Sequence, residues 1–304
     1  AMDHRGMVGH ATATRGGDRY HAPKYDDRSQ EVWAGNLEEE MEKMQDVAED
    51  YQHIAMDAVL PGIVAHPTGP FGDYVGYNYQ TLRCNVDLTR AIQIGLTLSD
   101  AEGNPPEGTS TWRFNFAFDA DRDMISSELT DRLRRNRGEV DLEKHQFQGI
   151  DVQRFGELLM SSGLVLNENI RWISFCGLNR LKEKPSLDKT EIAWMTFSGL
   201  YIFGHLLHLL TSLSLPDGVD GFYESLDLFF PSRCDIAKHL HQVPQLSGRD
   251  PSDPQRRPCF CNAKHVLDAF FRLPDAVRGK AFDREEEEEE ACENGQLRRG
   301  TEVR

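Results

Sequence analysis

Three features are missing from this 304-residue sequence, and each absence narrows what it can be. No apolar run reaches the length that crosses a bilayer; the longest, around Trp194 to Leu215, is broken by Thr, Ser and His. Zinc-type cysteine spacing is missing as well. The six cysteines, Cys84, Cys176, Cys234, Cys259, Cys261 and Cys292, are scattered, and Cys259-x-Cys261 has no second pair. They read as reduced thiols of an intracellular protein. The third absence is an excess of positive charge. Lys plus Arg is 34 against 50 for Asp plus Glu, a formal net charge of -16. That argues against a broad electrostatic grip on nucleic acid and leaves room only for a narrow, metal-screened cleft. Residues 1–30, rich in His, Arg, Asp and Gly, read as a disordered tail that is neither a signal peptide nor a membrane anchor.

What is present is a hydrophobic fraction of 39%, enough for one sizeable core. From Ser29, the apolar positions Val32, Trp33, Leu37, Met41 and Met44 predict an amphipathic helix whose other face carries Glu38, Glu39, Glu40 and Glu42. Gln52 to Ala65 predicts two short strands around the Pro61-Gly62 turn. A helix over Tyr79 to Arg90 and a strand over Ala91 to Leu98 follow. Thr109 to Asp119 alternates Trp112, Phe114, Phe116 and Phe118 with smaller residues, a strand with one aromatic face. Asp121 to Lys144 is charged and partly helical, Asp151 caps a helix that stops at Gly163, and Arg171 to Phe175 is a short strand. Residues 176–196 form a polar surface insertion. Two further helices, Phe203 to Leu213 and Phe222 to Phe230, precede a last strand or turn at Cys234 to Leu240. Residues 246–304 make an acidic, low-complexity tail with one possible helix, Ala263 to Leu273, and a glutamate run from Glu285 to Glu290. Mixed strands and helices of this kind indicate an α/β domain over residues 31–245.

Asp57 is the conspicuous acid. It sits inside an apolar strand, where an unpaired carboxylate costs several kcal/mol, of order, and a metal ion is one partner that offsets this. A strand-end Asp that reaches solvent or a backbone amide is the plainer alternative.

Five stretches carry a resemblance. They are Met-Asp-x-x-x-Pro-Gly-Ile-Val-Ala at 56–65, Gln-x-Leu-Arg-Cys-Asn-Val-Asp-Leu at 80–88, Ile-Gln-Ile-Gly-Leu-Thr at 92–97, Gly-Thr-Ser-Thr-Trp-Arg-Phe-Asn-Phe at 108–116, and Gly149-Ile-Asp through Phe155-x-Glu-Leu-Leu-Met-Ser-Ser-Gly. Val32-Trp-Ala-x-Asn-Leu-Glu-Glu-Glu agrees with them. Together, in collinear order from Ser29 to Leu240, they resemble the poly(A)-specific ribonuclease family that supplies a deadenylase subunit to the Ccr-Not complex. The resemblance implies a ribonuclease-H-like fold, a mixed central sheet flanked by helices, altered here at its C-terminal end. It also implies a 3'-to-5' exonuclease acting on messenger RNA tails with Mg2+ or Mn2+. The implied partners are the Ccr-Not scaffold, sister nuclease subunits and poly(A) RNA, with no membrane, and the implied location is both cytoplasm and nucleus.

Two cations about 4 Å apart must be held by several carboxylates so that one activates water and the other stabilises the leaving oxygen. The family uses an Asp-x-Glu pair, an Asp before Phe-Gly, and an Asp in Gly-Ser-Asp-Ser. Asp57 matches the first. Val59 stands where the Glu is expected, Ile202 stands before Phe203-Gly204, and no Gly-Ser-Asp-Ser is found. The expectation is therefore a metal site reduced to Asp57 and a chain of weak or absent activity. Asp87 reads as a structural or capping acid. His205 and His208, three apart on one helix, read as edge histidines rather than a metal pair. The aromatic strand reads as core rather than a base-stacking platform. Three readings stay open: a nuclease whose missing acids come from elsewhere, a non-catalytic Ccr-Not subunit, and a degenerate gene copy.

Overall fold

The computed structural model describes residues 28–72, 74–135, 140–175, 198–236, 239 and 263–282. The insertion at 176–196, the Glu285–Glu290 run and four of the six cysteines lie outside the described residues; neither Cys84 nor Cys234 is in a disulfide.

A six-stranded mixed sheet organises the chain, with β1 (Ser29–Val32), β2 (His53–Val59), β3 (Gln93–Ser99), β4 (Thr111–Asn115), β5 (Arg171–Ser174) and β6 (Arg233–Asp235) in the order β1-β4-β3-β2-β5-β6. The pairs β2–β3 and β3–β4 are antiparallel; β1–β4, β2–β5 and β5–β6 are parallel. Around it lie α1 (Leu37–Ala48), α2 (Tyr74–Leu88), α3 (Ser127–Arg135), α4 (Leu142–Gln148), α5 (Val152–Ser161), α6 (Ser198–Thr211), α7 (Val219–Phe229), α8 (Ala263–Phe271) and α9 (Asp275–Lys280). The expected mixed sheet flanked by helices is what the chain forms.

Alternation along the strands sorts the side chains between two faces. Ile54 and Met56 of β2, Ile94, Leu96 and Leu98 of β3, and Trp112 and Phe114 of β4 enter the large core with α1, α2, α5, α6 and α7. Trp112 reaches through that core to donate its indole N–H to the buried carboxylate of Glu40 at 3.1 Å, which fastens α1 under the sheet. Helices α5 and α6 cross at backbone contact: a Cβ at Gly156 would lie 2.3 Å from the carbonyl oxygen of Leu209. On the other face, Ala55, Ile173, Cys234 and Ile236 meet Val266, Leu267, Ala269, Phe270 and Leu273.

Several expectations change. Ser29–Val32 is an edge strand rather than the start of a helix, because Glu31 and Asn36 are drawn into hydrogen bonds with β4 and the following turn. The segment after Pro61 forms no second strand. Its backbone is held instead by Asn85, whose Oδ1 accepts from Val64 and Ala65 N–H at 2.6 and 3.0 Å and whose Nδ2 donates to the Ala65 carbonyl at 2.7 Å. Residues 263–282, counted with the tail, pack on the sheet as α8 and α9, because Ala263, Val266, Leu267 and Phe270 form an apolar stripe that the sheet buries. The Asp151 cap forms as expected, its side chain accepting from Arg154 N–H at 2.9 Å.

Candidate functional site

The β2 strand runs up the middle of the sheet, and its pairing with β5 stops at Ala55. Asp57, two residues further on, therefore lies where β3 and β5 diverge. Such a crevice at the carboxyl end of a central strand is where open α/β sheets build their sites. By alternation Asp57 shares its face with Ala55 and Val59, opposite the face of Ile54 and Met56.

One cross-strand row sets the electrostatics of this point. Glu31 pairs with Arg113, Arg113 with Gly95, and Gly95 with Asp57, so four strands contribute one residue each. Arg113 is buried, and its Nη1 donates to Glu31 Oε1 at 2.5 Å. Gly95 leaves the gap between the guanidinium and the Asp57 carboxylate. A Cβ there would sit 2.1 Å from Asp57 Oδ1. The neighbouring row is also polar: Gln93 Nε2 donates to Asn115 Oδ1 at 2.6 Å, and Asn115 Nδ2 donates to Glu31 Oε2 at 2.8 Å. On the other side, Thr97 and Thr111 hydroxyls meet at 2.9 Å.

Asp57 itself is partly buried. Burial pushes its carboxyl up to about 6, against the pull of the Arg113 guanidinium and of the Ala263 backbone. Ala263 is the first residue of α8, a helix from a different part of the chain that packs on the face of the sheet shared by Ala55.

The other positions singled out in the sequence serve packing and local hydrogen bonds. Val59, at the end of β2, packs against Ile92, Phe118 and Leu129. Ile202 lies in α6 and is buried in the large core with Tyr201, Phe203 and Leu206. His205 is buried in the same helix, and His208 Nδ1 bonds the Leu213 carbonyl oxygen at 2.9 Å. Asp87 Oδ1 accepts from Leu215 N–H at 3.2 Å, and Trp112, Phe114 and Phe116 are core. Among the described residues no group of three His, Cys, Asp or Glu side chains is placed to hold a metal ion.

These residues do not fit a pair of divalent cations. Asp57 faces the Arg113 guanidinium across Gly95, and the carboxylate expected two residues on is a valine in an apolar cluster. Gly95, Arg113 and Ala263 were not singled out by sequence reasoning. A glycine inside a strand pattern was the one available signal, since it marks a close approach.

A six-stranded mixed sheet in this order, helices on both faces and a carboxylate on its central strand define a ribonuclease-H-like nuclease domain. No protein-family model matches the chain. It is 41% identical over 255 residues to CCR4-associated factor 1 homolog 7 of Arabidopsis thaliana, covering 82% of this chain and 78% of that protein. It is 40% identical over 213 residues to the poly(A) ribonuclease pop2 of Schizosaccharomyces pombe, covering 70% of this chain and 56% of that protein. Among solved structures, the Mg2+- and Mn2+-bound form of S. pombe Pop2p superposes with a TM-score of 0.66 at 34% identity, over 84% of this chain and 94% of that one. Yeast CAF1, crystallised with the NOT1 MIF4G domain, superposes with a TM-score of 0.60 at 25% identity, over the same shares. The chain belongs to the CCR4-associated factor 1 (Pop2) family of poly(A) ribonucleases.

Proposed function

We propose that this chain is a Pop2-type subunit of a Ccr-Not assembly in messenger RNA turnover, acting in cytoplasm and nucleus, and that it contributes little or no poly(A) hydrolysis of its own. The observation that carries the second half is the setting of Asp57. Its carboxylate faces Arg113 across Gly95, while Val59 and Ile202 place hydrocarbon where the family's acids are expected. Removing a single charge-stabilising group from a catalytic site typically costs about a hundred- to thousand-fold in rate, and here two acids are replaced. The first half is supported by family membership and by the likeness to CAF1 crystallised with the NOT1 MIF4G domain.

A second reading, a metal-dependent 3'-exonuclease with Mg2+ or Mn2+, draws on the retained fold and on the metal-bound Pop2p relative. Two measurements separate them. Shortening of a labelled oligo(A) RNA in Mg2+ or Mn2+ is expected to stay at background, and a NOT1 MIF4G domain is expected to retain the chain on a column. Robust shortening that Asp57→Ala abolishes overturns the non-catalytic reading, and failure to bind the MIF4G domain overturns the assembly reading.

A further inference from the structure

We infer that His53 is an acid-sensitive latch for the C-terminal helical pair, residues 263–282: the pair docks on the sheet over a neutral imidazole and is released when that ring takes up a proton.

His53 is the first residue of β2, and its ring is buried. Three of its neighbours belong to the pair. Phe270, Phe271 and Phe282 place their ring centroids 6.0, 5.7 and 6.3 Å from the imidazole. Arg171, the cross-strand partner of His53 on β5, brings its Nη1 to 3.3 Å from His53 Nε2. A guanidinium can only donate, so Nε2 is the acceptor and the proton of the neutral ring is on Nδ1. Nδ1 is buried and has no hydrogen-bond partner among the described residues. A second proton therefore finds no acceptor and breaks a bond already made. It would lie on Nε2, facing the guanidinium that had been donating there, and leave two cations in contact within an aromatic cage.

The charges around the cage do not offset this. Arg171 lies over the Phe282 ring, 5.4 Å from its centroid, so one guanidinium touches both the latch and the pair. Arg278 of α9 stands over Phe271 at 5.2 Å and is paired with Asp275. The acid that acts on the ring is Asp100, in the turn after β3. Its carboxylate serves that turn, accepting from the Glu102 and Asn104 backbone N–H at 3.0 and 2.7 Å and from Asn104 Nδ2 at 2.9 Å. The turn packs on the cage too, since a Cβ at Gly103 would come within 2.8 Å of Phe271. From α8 the ring meets Phe270 and Phe271.

Burial, with Arg171 adding repulsion, holds the His53 pKa at about 4 in the docked form, although Asp100 pulls the other way. Once the pair leaves, water reaches the ring, which then takes up a proton at roughly pH 6.5. Docking is thus at full strength above that pH and weakens as pH falls toward 4. Release uncovers Ala55 and Ile173, on the face of the sheet that Asp57 shares.

The latch works the same way whether or not the chain cleaves RNA, and its test reads docking alone. Hydrogen exchange of the full chain is followed by mass spectrometry at pH 7.5 and pH 5, each rate being divided by the intrinsic rate at that pH. In the parent, residues 263–282 are expected to open roughly ten- to thirtyfold more readily at pH 5, while α1 and α2 keep their protection. His53→Gln removes most of that change. His265 of α8 is present in every variant, so its own share cancels in the comparison. Arg171→Gln keeps a donor for Nε2 without the charge, so the change shrinks; it is the variant to use if His53→Gln does not fold. An acid response of residues 263–282 that is missing in the parent overturns the inference. So does one that spreads equally to α1 and α2, or one that persists undiminished in the variant used.

Discussion

Gly95 lies directly across the β2–β3 pair from Asp57, and a methyl group at 95 would come within 2.1 Å of Asp57 Oδ1. The glycine and the acid are thus one unit: the strand gives up a side chain so that a carboxylate can lie flat over it.

Gly95→Ala is accordingly expected to destabilise the fold by about 1–3 kcal/mol, the usual cost of forcing an extra group into a filled site. The same substitution made in Asp57→Ala should cost much less, because the atom it collides with is gone. Urea denaturation of the two single variants and the double variant measures the difference, and additive effects would show that the two residues do not share the space.

Restoring the expected acids runs against the packing. Ile202 is buried among Tyr201, Phe203 and Leu206, so Ile202→Asp places a carboxylate in hydrocarbon. A loss of roughly 3–5 kcal/mol is expected, as for other uncompensated buried charges. Val59→Glu is milder, since Val59 is only half-buried. The double variant should gain some Mn2+ binding by calorimetry without efficient shortening of oligo(A); turnover near that of an active deadenylase would contradict this.

Asn85 holds the segment after Pro61 through Val64 and Ala65. Asn85→Ala leaves two amides without their acceptor and should cost about 2–3 kcal/mol. Proteolysis should then cut first between residues 61 and 72, and cleavage elsewhere first would argue against this role.

Stability should fall on mild acidification. Burial, with Arg171 adding repulsion, lowers the His53 pKa to about 4, and burial lowers that of His205 to about 3; His145 is lowered too. Each is neutral in the fold, whereas the unfolded chain takes up a proton below about pH 6.5. Their contribution is complete above that pH and is lost as pH drops toward 4, at roughly 1–2 kcal/mol each for His53 and His205 by pH 5. His53→Gln should flatten the thermal-melting profile between pH 6.5 and 5, and an unchanged slope would exclude His53 as a source.

Much was legible in the chain itself. The alternation of Trp112, Phe114 and Phe116 marks a core strand, Asp151 caps α5, and Asp57 stands out because an acid in an apolar strand needs a partner. Other features were not. Ser29–Val32 looks helical by spacing, yet pairing with β4 overrides a local pattern that four residues cannot defend. The Ala263–Phe271 stripe announces a helix but not the sheet face that buries it.

What the sequence by itself determined is the inventory: a strand acid at 57, hydrocarbon at 59 and 202, a glycine at 95, an arginine at 113 and an apolar stripe after 262. Identity and local periodicity suffice for that, and they already limit the metal chemistry open to the chain. Only the tertiary structure decided what Asp57 touches. Strand register put Gly95 and Arg113 in its row, and a helix more than 200 residues away in sequence packs on the same face of the sheet. Neighbours so distant along the chain are set by sheet pairing and core packing, which no local pattern encodes.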